Sequence, residues 1–149
     1  TMGHSQQREK TMNNSSLQSW GTALLRIMVG VVFLMHGRQK LFVFGFHGVA
    51  GMFGHIGIPF PAFFAVVVTL LEFVGGAALV VGLFTRWIAL LLACDMLVAV
   101  LAVKLKGGFM GAGGFEFELL LLVASLSLAL TGAGAASLDA KLNRNSTPR

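Results

Sequence analysis

Four long apolar segments, separated by short polar or glycine-rich stretches, dominate the pattern of the chain. The pattern predicts helices over Leu17–Lys40, Pro61–Leu83, Arg86–Lys104 and Phe115–Thr131. A helix needs about 20 residues, at about 1.5 Å per residue, to cross the hydrocarbon core of a bilayer. Each segment is close to that length, so we predict an all-α integral membrane protein with a bundle of four transmembrane helices.

The stretch between the first two helices has a different pattern. Its glycines fall at every third position from Gly45 to Gly57, among phenylalanines and two histidines. A helix turns about 100° per residue, so this spacing does not give one small face. Pro59 and Pro61 close the stretch and begin the next helix. We therefore expect a short interfacial or re-entrant helix here.

The pattern divides the chain into three parts. Residues 1–16 are predicted to be a polar N-terminal tail, residues 17–134 the four-helix domain, and residues 135–149 a polar, basic C-terminal tail. The first part has no apolar run, and the first apolar segment is longer than the core of a signal peptide. We therefore expect that segment to stay in the protein.

Composition supports a membrane protein. Of the 149 residues, 56% are hydrophobic and 11% are charged, whereas soluble domains have about 25% charged residues. The net charge of +5 does not indicate nucleic-acid binding, because the basic residues lie at segment ends and in the tails, where they set topology and meet anionic lipid. Six of them share the side of the termini and four lie on the other side, which predicts that both termini are cytoplasmic.

Three ionisable residues lie near the middle of apolar segments: Arg26, Glu72 and Asp95. A charge at that depth costs at least about 2.5 kcal/mol, so we expect the three side chains to meet inside the bundle. Two carboxylates and one guanidinium leave one negative charge, which predicts that one acid holds a proton. Two interpretations stay open: the cluster locks the helices together, or it handles a ligand or a proton.

A second charged group is predicted at the non-cytoplasmic mouth of the bundle. It comprises His36, Lys40, Lys104, Glu116 and Glu118. Paired lysines and glutamates could seal this mouth or bind an anionic or quinone-like headgroup. The alternative is ordinary interfacial charge, which commonly flanks membrane helices.

Several kinds of chemistry find no support in the residues. Cys94 is the single cysteine, so the chain cannot run a dithiol relay by itself. No Cys, His and carboxylate spacing predicts a metal site, and only His36 is near the depth that a bis-histidine haem needs. The glycine-rich stretches lie between membrane helices rather than between a strand and a helix, which excludes a nucleotide fingerprint. No visible motif therefore binds a cofactor.

Six motifs follow one another along the chain: LLRIMVGVVFLMHGRQKLF, GIPFP, LLEFVGGAALVVGLFTR, MLVAVLAVKLKGGF, GGFEFELLLL and TGAGAASLD. Their order and spacing resemble the DoxX family of small bacterial and archaeal four-helix membrane proteins. This resemblance implies a multi-pass protein of a prokaryotic inner membrane. The resemblance covers about Leu24 to Leu142. The positions that fit the family pattern are Arg26, Gly37, Lys40, Glu72, Gly75, Gly76, Gly82, Thr85, Arg86, Glu116, Ser137 and Asp139.

The resemblance implies an accessory membrane subunit of a quinone-linked redox complex, not catalytic by itself. Its expected partners are membrane lipids and either other membrane subunits or further copies of the chain, and quinone is the candidate ligand. Two alternatives stay open. The chain is a small carrier or binding protein for a lipid-soluble molecule or a proton, or it is a structural subunit of a larger assembly.

Overall fold

The computed structural model describes residues 2–145 and, within them, the side chains of residues 11–142. All regular structure in this part of the chain is helical. The elements are α1 (Met2–Gln39), a π-helical turn (Lys40–Phe44), α2 (Gly45–Ile56), α3 (Pro61–Val81), α4 (Thr85–Val98), a second π-helical turn (Ala99–Lys104), a 3-10 turn (Leu105–Gly107), α5 (Glu116–Thr131) and α6 (Leu138–Asn145). The predicted all-α class is confirmed.

Three helical stretches among the described residues are long and apolar enough to cross a membrane. They are Thr11–Ile56, Pro61–Val81 and Thr85–Gly107. α5 has 16 residues, which corresponds to about 24 Å of helix, against about 30 Å of hydrocarbon core. The membrane character of the chain is therefore supported, while the fourth crossing and the interfacial position of α2 stay predictions.

The first helix is longer than its apolar pattern. It begins at Met2 rather than near Leu17, so the segment predicted to be a polar tail continues α1. Within this segment, residues 6–10 are Gln, Gln, Arg, Glu and Lys, which are all good helix formers. A pattern of apolar residues indicates only where a helix is buried or contacts lipid. The first residues of α1 are mostly polar, so the pattern does not indicate where this helix begins.

Glycines bring α1 and α3 into backbone contact. A Cβ atom on Gly37 would lie 2.3 Å from the backbone nitrogen of Phe73, and one on Gly76 would lie 2.4 Å from that of Leu34. Gly30 meets the same helix further on, near Val80. The residue numbers rise on α1 as they fall on α3, so the two helices run antiparallel. Small residues permit such close packing of membrane helices.

Apolar side chains from four helices form the core. Its buried members are Val29, Phe33, Leu79, Ala89, Leu92, Met96, Leu121 and Leu128. A smaller cluster of Val49, Phe53 and Ala65 joins α2 to the start of α3. Many other Leu, Val and Phe side chains are exposed on the outer faces of the helices, as expected for surfaces that lie against lipid.

The segment after α5 packs on the bundle end formed by α1 and the turn between α3 and α4. The backbone nitrogen of Ala135 donates to the carbonyl of Ser19 at 3.0 Å, and that of Asp139 donates to the carbonyl of Gly82 at 2.9 Å. Ser137 is buried. The stretch predicted to be a tail from residue 135 onward is thus bound to the bundle in its described part.

Candidate functional site

A lysine and a glutamate form an ion pair inside the bundle. Lys40 Nζ lies 2.6 Å from Glu72 Oε1, and the glutamate side chain is only 2% exposed, against 20% for the lysine. The local fold explains the contact. Gly37, one turn earlier, lets α1 touch the backbone of α3 at Glu72, and the π-helical turn then begins at Lys40. Lys40 is therefore the member of the pair that connects it with the surface.

Asp95 of α4 completes this cluster. Its carboxyl lies close enough to the Glu72 carboxyl, and to Lys40, for the three groups to interact electrostatically. Glu72 Oε2 and Asp95 Oδ2 are both buried and have no hydrogen-bond donor among the described residues. Two ionised carboxylates can only accept hydrogen bonds, so neither can satisfy the other. A proton on one of them would turn it into a donor to its neighbour.

The charges of the Lys40–Glu72–Asp95 cluster lead to the same conclusion. One ammonium and two ionised carboxylates would sum to −1 in a site that apolar helices surround. Carboxylates that share a buried site do not both ionise readily. One proton held between the acids makes the cluster neutral, and this proton is one that the site could release or take up.

Two further contacts lie near the predicted mouth. Lys104 Nζ lies 3.6 Å from Glu118 Oε1, and the His36 ring stacks on Phe117 with centroids 5.8 Å apart. Lys40 points to Glu72 instead of joining them. Glu116 is exposed. The five residues predicted at the mouth thus divide between an ion pair, an aromatic contact, an exposed acid and the buried cluster.

Arg26, which the sequence places with Glu72 and Asp95, lies elsewhere. It is fully buried, and its guanidinium is beside Gly82, where an added Cβ would collide with Nη1. Gly82 follows Glu72 by ten residues, or about 15 Å of helix. The antiparallel contact of α1 with α3 causes this separation, because it sets Gly37 beside Glu72 and Arg26 near the far end of α3. Lys40 replaces Arg26 as the cation of the acid pair.

Arg26 binds the C-terminal segment. Its Nη2 donates to the carbonyls of Ala135 at 3.5 Å and Ala136 at 3.1 Å, and Asp139 supplies a nearby negative charge. The Asp139 carboxylate in turn accepts hydrogen bonds from the backbone nitrogens of Phe84 at 2.8 Å and Thr85 at 2.9 Å. Because Phe84 and Ala136 both have positive φ angles, these bonds hold two backbone conformations that are costly for non-glycine residues.

Arg26 thus joins α1 to the C-terminal segment through Nη2, whereas its buried Nε and Nη1 have no hydrogen-bond partner among the described residues. The pattern of the sequence did not predict this contact. The available hint was the buried arginine itself, because a buried guanidinium needs acceptors. Among the described residues, no three His, Cys, Asp or Glu side chains are grouped so that they could hold a metal ion.

Comparison with known proteins places these elements in a family. The family model DoxX matches residues 21–105, which is more than half of the chain and includes all three members of the Lys40–Glu72–Asp95 cluster. "Putative oxidoreductase CatD" of Bacillus subtilis (strain 168) is 42% identical over 100 residues, or 67% of this chain and 72% of that protein.

Two further relatives extend the similarity over more of the chain. "Uncharacterized membrane protein Rv3486" of Mycobacterium tuberculosis is 37% identical over 83% of this chain and 82% of that protein. A Haemophilus influenzae protein named "Uncharacterized protein" is 34% identical over 88% of this chain and 98% of its own length. No solved structure matches the chain. This chain belongs to the DoxX family of membrane proteins.

Proposed function

We propose that this chain is an accessory membrane subunit of a quinone-linked redox complex, and that its Lys40–Glu72–Asp95 cluster exchanges a proton during turnover. The observation that carries the proposal is the buried acid pair, in which Glu72 Oε2 and Asp95 Oδ2 have no donor among the described residues. Intramembrane ionisable groups commonly belong to proton or ligand pathways. The name of the Bacillus subtilis relative adds support for a redox association.

Quinone chemistry suits a proton-holding site at membrane depth. Reduction of a quinone to a quinol adds two electrons and two protons. In this proposal the electrons come from a redox carrier in a partner subunit. The acid pair supplies one proton at a time and refills from water at the mouth, so two successive transfers complete the reaction. After each transfer the acid pair carries two negative charges, of which Lys40 balances one, and this excess negative charge favours uptake of the next proton.

The access side of the cluster is the end that carries Lys40. This lysine side chain is partly exposed, whereas Glu72 is not. Phe42 and Phe73 meet edge to face near this end, with ring centroids 6.0 Å apart. An apolar ring with polar oxygens could therefore approach Lys40 between aromatic side chains.

The variant Glu72→Gln tests this proposal in the native host. We expect the tagged chain, gently extracted and separated on a native gel, to migrate with subunits that hold redox cofactors. We expect Glu72→Gln to assemble in the same way. Its quinone reduction should fall by about 100-fold, in the range of general acid–base effects, and its pH profile should change. Mass spectrometry of the gel band and a quinone reduction assay give both readouts.

The matched control is Glu116→Gln, which removes an exposed carboxylate from the same side of the bundle. It should leave assembly and turnover unchanged. Three results would overturn the proposal. The wild-type chain migrates alone or as a small homo-oligomer, or Glu72→Gln matches the wild type in rate and pH profile, or Glu72→Gln fails to assemble. The last of these results would assign the cluster to structure alone.

A further inference from the structure

A groove runs along the outer surface between α4 and α5, away from the Lys40–Glu72–Asp95 cluster. Its volume is about 610 Å³, and it is lined by Arg86, Trp87, Leu90, Leu126, Ala129 and Leu130. The groove starts where α4 begins and α5 ends, and it continues toward the interior of the membrane span. Its walls, apart from Arg86, are apolar or aromatic, so a polar ligand would not fill it.

The polarity of the groove changes with depth. Arg86 and Trp87 lie in the first turn of α4, and Leu90 and Leu126 lie at the deeper end. Tryptophan and arginine commonly sit at the level of lipid headgroups, and leucine at the level of the chains. The polarity of the groove therefore matches that of a phospholipid, which has a charged headgroup at the membrane surface and an apolar acyl chain beneath it.

Arg86 is held at the top of the groove and is available to an anion. Its side chain lies over Gly132, where an added Cβ would come within 3.1 Å of Nε. Arg86 is exposed, and neither ion pair found among the described residues includes it. The adjoining cleft contains Asp139, but both oxygens of that carboxylate accept backbone hydrogen bonds. Lys141 is also exposed on the neighbouring α6.

We propose that this groove binds an anionic phospholipid. The Arg86 guanidinium holds the phosphate, for which its planar fork is well suited, while one acyl chain lies along Leu90 and Leu126. The positive charge of Arg86 at the top of the groove favours a headgroup with a net negative charge over a zwitterionic one. This site is independent of the proposed redox function, because it shares no residue with the acid pair.

Fluorescence of Trp87 tests the site directly. The chain has two tryptophans, Trp20 and Trp87, so Trp20→Phe leaves a single reporter in the groove. This protein is placed in phosphatidylcholine vesicles that contain a minor fraction of brominated lipid, either phosphatidylglycerol or phosphatidylcholine, at equal mole fraction. We expect quenching by the brominated phosphatidylglycerol to correspond to about fivefold local enrichment, the effect of one basic residue near the surface.

Three variants in the Trp20→Phe background distinguish the contribution of the Arg86 charge to lipid binding from that of the groove's shape. Arg86→Gln should remove the preference for phosphatidylglycerol. Lys106→Gln removes an exposed cation at the opposite end of the α4 region and should keep the preference. Ala129→Phe fills the groove and should reduce quenching by both lipids.

Three results would overturn the proposal. Equal quenching by the two lipids, or an unchanged preference in Arg86→Gln, would show that no anionic lipid is selected at this site. Absence of quenching by either lipid would show that lipid does not enter the groove, as expected if a second copy of the chain covers it.

Discussion

Gly37→Leu is expected to prevent the bundle from folding stably. A Cβ at this position would lie 2.3 Å from the backbone nitrogen of Phe73 and 2.8 Å from the carbonyl carbon of Glu72. Both are backbone atoms, so no side chain can rotate away and α1 must separate from α3. We expect a loss of about 3 kcal/mol or more, at the upper end of overpacking effects. Gly76→Leu, which meets the backbone of Leu34, should have a similar effect.

The same substitution at an open glycine gives the matched control. Gly21 and Gly51 are helical, and an added Cβ would have no neighbour within 4 Å at either position. Leucine there should be neutral or slightly stabilising, because glycine is the poorer helix former. The measurement is the yield of monodisperse protein in detergent and its thermal unfolding midpoint. If Gly37→Leu unfolded at the same temperature as Gly51→Leu, the result would contradict the close backbone contact between α1 and α3 at Gly37.

Lys40→Met is expected to cost about 3–5 kcal/mol of stability, as do other changes that leave a buried charge without its partner. Glu72 is almost fully buried and pairs with Lys40 at 2.6 Å, and Asp95 lies beside it. Methionine keeps much of the length of lysine and its apolar stem, so the loss should come from charge and not from a cavity.

In the Asp95→Asn background, where Glu72 alone balances Lys40, the double variant Lys40→Met/Glu72→Gln should recover most of the stability that Lys40→Met loses, because no unpaired charge is then left in the cluster. A double-mutant cycle based on chemical unfolding in detergent measures this coupling. Lys106→Met, which removes an exposed lysine, is the control and should be neutral. If the two single changes simply added in the double variant, the buried pair would contribute no coupling and the cluster would need another explanation.

The helices were predictable because long apolar segments leave few alternatives. The observed α3, Pro61–Val81, and α5, Glu116–Thr131, begin and end within one or two residues of the predicted bounds. The two acids of the cluster were predictable for a related reason: a carboxylate amid apolar residues must find a partner. The identity of the cation was not predictable, because it depends on how one helix is displaced along another.

Arg26 and Lys40 show this dependence. On sequence alone, Arg26 lies near the middle of its apolar segment and Lys40 at the end. The contact of Gly37 with α3 brings Lys40 to Glu72 and carries Arg26 toward Gly82. A pattern of apolar residues gives the depth of a side chain only approximately, and the pattern here did not reveal the π-helical turn that begins at Lys40.

The C-terminal segment was missed for a different reason. Its small and polar residues are typical of an exposed tail, yet Ser137 is buried and Asp139 accepts two backbone hydrogen bonds. Such contacts use backbone groups, which have no sequence pattern. The buried Arg26 was the available indication, since it requires acceptors that the apolar helices do not supply.

Infrared spectroscopy of the reconstituted protein tests the shared proton of the acid pair most directly, because protonated carboxylic acids have a carbonyl band that ionised carboxylates lack. We predict this band in the wild type at neutral pH, and in Glu116→Gln as the exposed control. The band should disappear in Asp95→Asn and in Glu72→Gln, where the remaining carboxylate alone balances Lys40. A wild-type spectrum without the band, or a band that survives in both variants, would contradict a proton held by the Lys40–Glu72–Asp95 cluster.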